Sequence, residues 1–198
     1  ISVQESYVII EGLQIFAGNS NDDNGHIGVS ILDTVTEVTV RECIIPFDAA
    51  AQTTFVNNCY GIRIVTDATG DFYLGNNLIY DFTDTGGTGI FTENHTAGKT
   101  YAFHKTKVDC ETGIDDGFSD VIAKNNLVTN CGTAYLGSFN ASSNYNVTDD
   151  ASAPGANSKT SQTITYVNAG SDDFHSTDSD LSVANNLYAD ATFPVLVD

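Results

Sequence analysis

The stretch YLGNNLI at residues 73–79 decides the fold, because its pattern of an apolar strand, a polar pair and a second apolar pair recurs along the chain. IAKNNLV at 122–128 repeats it with the same Asn-Asn dipeptide, and weaker copies are IIEGLQI at 9–15, TVRECII at 39–45 and AFHKTKV at 102–108. The copies end at Ile15, Ile45, Ile79, Val108 and Val128, at intervals of 30, 34, 29 and 20 residues. A repeat of irregular length indicates a stack of similar units.

A second pattern falls between these copies and consists of a turn followed by Gly and a β-branched residue. It occurs as HIGVSI at 26–31, YGIRIV at 60–65, TGIFTE at 88–93 and TGIDDG at 112–117, while GTAYLG at 132–137 stands in the fifth place without the apolar β-branched residue. Both kinds of strand are short, alternate in polarity and are separated by residues that accept turn backbone. We therefore predict an all-β fold, a right-handed parallel β-helix.

This β-helix would be a single-stranded solenoid of about five irregular coils at residues 1–137. Residues 138–198 would be a loop-rich C-terminal segment that packs on the coils or caps them, with one strand at 163–168 before an extended acidic tail. The five residues that end the first pattern would form one interior column. A Greek-key β-sandwich is the alternative all-β fold, but it does not require two strand types to return in one order.

The Asn-Asn dipeptides fall on one slot of the repeat, Asn76-Asn77 in one coil and Asn125-Asn126 in another. At the bend of a coil, asparagine tolerates left-handed backbone and can hydrogen bond along the stack. Gly12-Leu13, Glu42-Cys43 and Lys105-Thr106 fill the slot elsewhere. We expect an interrupted ladder of asparagines.

The charge balance excludes several classes of partner. Among 198 residues there are 26 Asp and Glu but only 7 Lys and Arg, which gives a formal net charge of −19. Such a surface repels phosphate backbones and anionic lipid, so we expect no nucleic-acid partner and no membrane insertion. The chain has no Met and begins at Ile1 directly before a strand-like segment, which is typical of a processed or truncated piece.

The repeat resembles the pectate-lyase-like superfamily of right-handed β-helices over roughly residues 7–137. SSNYNVTDDASAPGANS and NLYADATFPVLVD, within residues 140–198, are similar to the ending of uncharacterised secreted and phage-encoded β-helix proteins. The first resemblance implies the fold and leaves the activity open, because this superfamily includes lyases, hydrolases, adhesins and tail spikes. The second implies a location outside the cell, on the cell surface or on a virion.

One segment, TGIDDGFSDVIAKNN at 112–126, resembles the loop of β-helix polysaccharide hydrolases in which aspartates flank the scissile bond. The resemblance implies Asp115 and Asp116 as acid and base, since close carboxyls have split pKa values. A lyase would instead need a cationic base, for which Arg63 is the candidate. The HG and RxK motifs of these enzymes are missing, and two solvated aspartates in a turn are the alternative.

Two kinds of binding site are also indicated. Asp22, Asp23 and Asn24 stand in partial calcium-loop order within residues 19–28, without the bidentate Glu, so a calcium site and a plain polar loop both fit. The aromatic residues Tyr60, Phe91 and Tyr135 recur on neighbouring coils. Exposed rings there would bind glycans, and buried rings would fill the core.

Cysteine spacing leaves two alternatives. Cys110 and Cys131 come shortly before the turn glycines of consecutive coils, which are about 4.8 Å apart in a parallel stack. That separation fits a disulfide, and it also fits a stacked pair of thiols. The four cysteines include no CxxC pair, so zinc and thioredoxin-like functions are disfavoured.

These features favour a non-catalytic module of an extracellular or virion surface. It would be structural or adhesive and would contact glycans or neighbouring subunits of an assembly. It would require no cofactor, although Ca2+ could occupy its acidic loops. The alternative function is a polysaccharide lyase or glycoside hydrolase that acts on acidic polysaccharide.

Overall fold

The computed structural model describes residues 1–17, 25–32, 34–47, 58–65, 70–83, 85–93, 97–104, 106–117 and 121–176, with the side chains of residues 106–108 excepted. Within these ranges the chain is all-β, and the only helix is a short 3-10 helix at Ala169–Ser171. None of the helical segments found there is long and apolar enough to cross a membrane.

The strands follow one another closely along the chain. In order they are β1 (Ser2–Val3), β2 (Val8–Glu11), β3 (Ile27–Ile31), β4 (Glu37–Arg41), β5 (Ile44–Pro46), β6 (Tyr60–Ile64), β7 (Asp71–Gly75), β8 (Leu78–Phe82), β9 (Thr88–Thr92), β10 (Thr100–Phe103), β11 (Thr106–Cys110), β12 (Thr112–Asp116), β13 (Val121–Lys124), β14 (Leu127–Thr129), β15 (Thr133–Gly137), β16 (Val147–Thr148), β17 (Tyr166–Asn168) and β18 (Asp173–Ser176).

Sixteen of these strands form three parallel sheets. Sheet A has the order β1-β3-β6-β9-β12-β15, sheet B the order β13-β10-β7-β4-β2, and sheet C the order β16-β14-β11-β8-β5. The chain visits sheets A, B and C in turn, and we call each such set of strands a rung. Antiparallel pairing, on which a Greek-key sandwich depends, is confined among the described strands to β17 and β18.

The interior column of sheet C is mostly as predicted. Ile45, Ile79 and Val128 are fully buried, and Ile15 is nearly so. Ile45 is in register with Ile79. The prediction for the remaining member was wrong by one residue, because Lys107 rather than Val108 stands opposite both Ile79 and Val128.

The physical reason for this shift lies at the bend between sheets B and C. His104 has the left-handed backbone there, with a φ of 51°. Equivalent left-handed residues in the other rungs are Glu42, Asn76, Asn125 and Tyr145. The bend in this rung therefore comes one residue earlier than the sequence pattern indicated.

The residues that follow Glu42, Asn76, Asn125 and Tyr145 are buried, and the predicted asparagine slot is confirmed. Asn77 donates from Nδ2 to the Val40 carbonyl at 2.9 Å and accepts from the Cys43 amide at 3.0 Å. Asn126 and Asn146 occupy the same slot two and three rungs further on, and both are buried. Their carboxamides satisfy backbone groups that would otherwise be buried without partners at each bend.

The recurring glycine of the second pattern lets sheet A approach sheet C. A Cβ at Gly61 would lie 2.6 Å from the Gly89 carbonyl oxygen and 2.6 Å from Ile79 Cγ2. A Cβ at Gly28 would likewise lie 2.6 Å from Ile45 Cγ2. Side chains at these positions would collide with the interior column, so the glycines are required by packing.

Residues 140–161 cover the last strands of the stack. Ser143 Oγ accepts the Ala123 amide at 3.0 Å, Asp150 Oδ2 accepts the Ala134 amide at 2.9 Å, and Ser152 Oγ accepts the Tyr135 amide at 2.9 Å. These side chains pair amides that an open sheet edge would expose.

The β17–β18 hairpin packs on the outer face of sheet C. The hydroxyls of Tyr166 and Thr129 are hydrogen bonded at 2.6 Å, and the Phe174 ring lies 5.0 Å from that of Tyr80. The strand predicted at 163–168 is therefore present as β17, but residues 173–176 form its antiparallel partner and not an extended tail.

Candidate functional site

Asp115 and Asp116 end β12, where successive side chains point to opposite faces of the sheet. Asp116 is 2% exposed and is in register with Thr92 and Gly137, so its carboxyl lies within the stack. Asp115 is partly exposed on the outer face, and burial raises its pKa. Alternation along β12 therefore places the two side chains on opposite faces of sheet A, which is an unfavourable geometry for an acid–base pair acting on one bond.

Arg63 lies on the same outer face of sheet A and makes two contacts there. Its Nε donates to Glu93 Oε1 at 2.8 Å, and its Nη2 reaches the same oxygen. Its guanidinium carbon lies 5.5 Å from the centre of the Tyr60 ring. Both contacts use the cationic guanidinium, so in this structure Arg63 is engaged by Glu93 and Tyr60.

The three candidate aromatic residues have different environments. Tyr60 and Phe91 are stacked, with ring centres 4.9 Å apart and planes 16° apart, and Phe91 is partly exposed. Tyr135 is only 4% exposed and is in register with the interior residue Ile114. Tyr135 belongs to the core and not to a glycan-binding face, since its ring packs edge-on against Phe139.

Register brings the outer residues together. Arg63 pairs with Phe91, and Phe91 pairs with Asp115, on three successive rungs of sheet A. We define the sheet A patch as Tyr60, Arg63, Phe91, Glu93 and Asp115. Burial raises the pKa of the Tyr60 hydroxyl, Arg63 opposes this shift, and Glu93 and Asp115 add to it. The patch offers guanidinium donors, carboxylate acceptors and an aromatic ring side by side, which is an arrangement for binding polar ligands.

A second concave feature lies where the β17–β18 hairpin meets the bend between β7 and β8. This hairpin cleft has a volume of about 310 Å3 and is lined by Asn76, Asn77, Leu78, His104, Phe174 and His175. No sequence pattern indicates this cleft, because the histidines fall in distant segments and Phe174 lies in a polar stretch.

Sequence reasoning also missed an aromatic pair on the outer face of sheet B. Tyr73 and Tyr101 are in register on β7 and β10, and their rings stack 5.1 Å apart at 9°. Period-two alternation around the buried residues Phe72 and Leu74 would have placed Tyr73 outside. Each ring covers one face of the other, so mainly the ring edges face solvent.

Metal binding has limited support. Asp22, Asp23 and Asn24 lie outside the described residues. Across the ranges that the structure describes, no three His, Cys, Asp or Glu side chains come close enough to hold a metal ion. The acidic residues Asp81 and Asp109 stand near each other, and burial raises the pKa of each carboxyl.

The cysteines are thiols. Cys110 is 3% exposed within the core, and Cys131 donates from Sγ to the Thr129 carbonyl at 3.3 Å. A hydrogen bond from the Gly132 amide to the Cys110 carbonyl, at 3.1 Å, places the two cysteines on neighbouring rungs. Of the two alternatives, the structure has the stacked thiols and not the Cys110–Cys131 disulfide.

No family model matches the chain, and no curated protein or solved structure is significantly similar to it. The assignment of function therefore rests on the geometry of the sheet A patch and of the hairpin cleft.

Proposed function

We propose that this chain is a right-handed parallel β-helix of the pectate-lyase-like type, and that it acts as a non-catalytic adhesive module on an extracellular or virion surface. The parallel sheets, visited in a constant order, support the architecture. The sheet A patch supports contact with a glycan.

The observation that carries this function is the register of Arg63, Phe91 and Asp115 across three rungs. The exposed part of the Phe91 ring suits the apolar face of a sugar, and the charged groups around it suit vicinal hydroxyls. An extended glycan can follow the strands' stacking direction, because equivalent positions recur about every 4.8 Å. The net charge of −19 favours a neutral glycan over an anionic one.

The separation of Asp115 from Asp116 argues against glycoside hydrolysis. Retaining and inverting enzymes both need two carboxyls that flank one bond. Glu93 is the other outer carboxylate of the patch, and it is held by Arg63. Binding without turnover is the function that this arrangement favours.

Glycan-array binding followed by equilibrium titration tests the proposal. We expect the wild-type protein to bind neutral glycans and Phe91→Ala to bind at least about tenfold more weakly, since an aromatic contact of this size corresponds to such a factor. Thr39→Ala is the matched control, because Thr39 is a partly exposed residue on the outer face of sheet B. Its affinity should equal that of the wild type.

Two outcomes would overturn the proposal. One is the absence of wild-type binding to every glycan on the array. The other is depolymerisation of a uronate-rich polysaccharide that Asp115→Asn abolishes, which would establish the lyase or hydrolase function instead. Thermal unfolding by circular dichroism verifies that each variant is folded.

A further inference from the structure

Phe174 forms the apolar wall of the hairpin cleft and is held from two sides. Its ring is tilted by 56° against Tyr80 at 5.0 Å and stands at 89° to Tyr166 at 5.6 Å. Tyr166 is itself anchored to sheet C through its hydrogen bond with Thr129. The ring is therefore positioned relative to the sheet, although it belongs to a separate hairpin.

His175 stands at the rim of the cleft with its side chain 89% exposed. Its Nδ1 lies 2.5 Å from Asp173 Oδ1, and this hydrogen bond lowers the pKa of Asp173. A carboxylate on one ring nitrogen fixes the orientation of the imidazole. The other nitrogen, Nε2, is then the group that a ligand in the cleft can contact.

Asn76 and His104 line the opposite side, on successive rungs of one bend. Both have left-handed backbone, with φ values of 50° and 51°. Asn76 is exposed, and its carboxamide can donate and accept. Burial lowers the pKa of His104, so its imidazole is neutral at pH 7 and also has one donor and one acceptor.

We propose that the hairpin cleft binds a single neutral sugar residue, at a subsite separate from the sheet A patch. The volume of about 310 Å3 is at the lower end of the range for small-molecule sites, which suits one pyranose ring. The phenyl ring of Phe174 accommodates the sugar's C–H face, and the polar groups of Asn76, His104 and His175 match its hydroxyls. This inference rests on the proposed function and adds a separate sugar-binding subsite to it.

The test measures binding of neutral methyl pyranosides, and of methyl glucuronide as the anionic comparison, by saturation-transfer NMR and titration calorimetry. Two variants remove polar groups without disturbing the hairpin packing. Asn76→Gly keeps a residue that accepts positive φ, and His175→Ala removes an exposed side chain. We expect each to weaken binding of the neutral sugar by about threefold to tenfold, the effect of one lost hydrogen bond.

Asn58→Gly is the matched control, because Asn58 is also exposed and has a φ of 76° but lies outside the cleft. It should bind the pyranoside as the wild type does. Preference for methyl glucuronide, or equal binding by all variants, would overturn the inference.

The two proposals fail in distinguishable ways. A protein that binds glycans through Phe91 but no single pyranoside has the proposed function without the cleft subsite. A protein that is silent towards both the array and the pyranosides has neither.

Discussion

Asn126 and Asn146 stand one rung apart in the same interior slot, and Asn126 Nδ2 donates to Asn146 Oδ1 at 2.9 Å. The same nitrogen donates to the carbonyl of Ala102, on the preceding rung, at 3.0 Å. Asn126 is 1% exposed, and its carboxamide therefore links three successive rungs in the interior.

Replacing Asn126 with Ala should destabilise the fold by about 2–4 kcal/mol, because the Ala102 carbonyl and the Asn146 carboxamide would each lose a buried partner. Urea unfolding followed by circular dichroism measures the change. Asn157→Ala, at an exposed asparagine, is the control and should stay within about 0.5 kcal/mol of the wild type. Equal stability of the two variants would contradict the bridging role of Asn126.

Gly61→Ala should lower the melting temperature, because the new Cβ would lie 2.6 Å from the Gly89 carbonyl oxygen and from Ile79 Cγ2. Overpacking of this kind costs about 1–3 kcal/mol, and backbone on one side limits relaxation. Gly170→Ala is the control, since the nearest atom to its Cβ is Asn168 Oδ1 at 3.9 Å. A Gly61→Ala melting curve that overlays the wild-type curve would show that sheets A and C can separate locally.

Asp81→Asn should stabilise the protein at neutral pH. Burial first, and then the charges of Asp172 and Asp109, raise the pKa of Asp81. The folded state therefore binds this proton more tightly than the unfolded state does. The resulting stabilisation is complete below the unfolded pKa and is lost as pH rises through the folded pKa.

The stability of Asp81→Asn should thus be close to that of the wild type at about pH 3. At pH 7 the variant should be more stable, by a few tenths of a kcal/mol up to about 1 kcal/mol. Thermal melts across this range measure it, with the exposed residue Glu5 changed to Gln as the control. A stability advantage of Asp81→Asn that decreases as pH rises would contradict a raised pKa of Asp81.

His104→Asn should remove a pH-dependent loss of stability. Burial lowers the pKa of His104, so the unfolded state takes up the proton first as pH falls below about 6.5. Wild-type stability should then decrease until pH reaches the lowered folded pKa. Asparagine suits the left-handed backbone, as Asn76 and Asn125 show on neighbouring rungs.

The variant should therefore match or slightly exceed the wild type at pH 7.5 and exceed it by more at pH 5, as measured by melting temperature. Asn157→Ala, at an exposed residue without a titratable group, should keep the wild-type difference between the two pH values. Parallel pH profiles for wild type and His104→Asn would show that the imidazole is not the responsible group.

The parallel sheets were predictable because two strand patterns alternate in the sequence and each marks one part of the rung. The asparagine pairs located the bend in the rungs that contain Asn77 and Asn126. The rung between them has no such pair, and the apolar pattern fits two alignments one residue apart. Only the left-handed backbone of His104 distinguishes them, and a lone histidine marks that conformation less specifically than an Asn-Asn pair at the repeat position does.

The candidate site was less predictable. Strand alternation alone would have separated Asp115 from Asp116, but the resemblance to a catalytic loop suggested an acid–base pair instead. The hairpin cleft depends on Phe174 packing against Tyr80, which is far away in the sequence. No local pattern encodes a contact of that kind, because it arises only when a polar segment folds back across the stack.

The corner between sheets C and A differs greatly in length from rung to rung. It consists of Glu111 alone between β11 and β12, whereas residues 47–59 connect β5 to β6. The strands on both sides of the longer connection keep their register, Ile31 with Ile64 and Ile45 with Ile79. A change of length at this corner should consequently leave the register of the flanking strands intact.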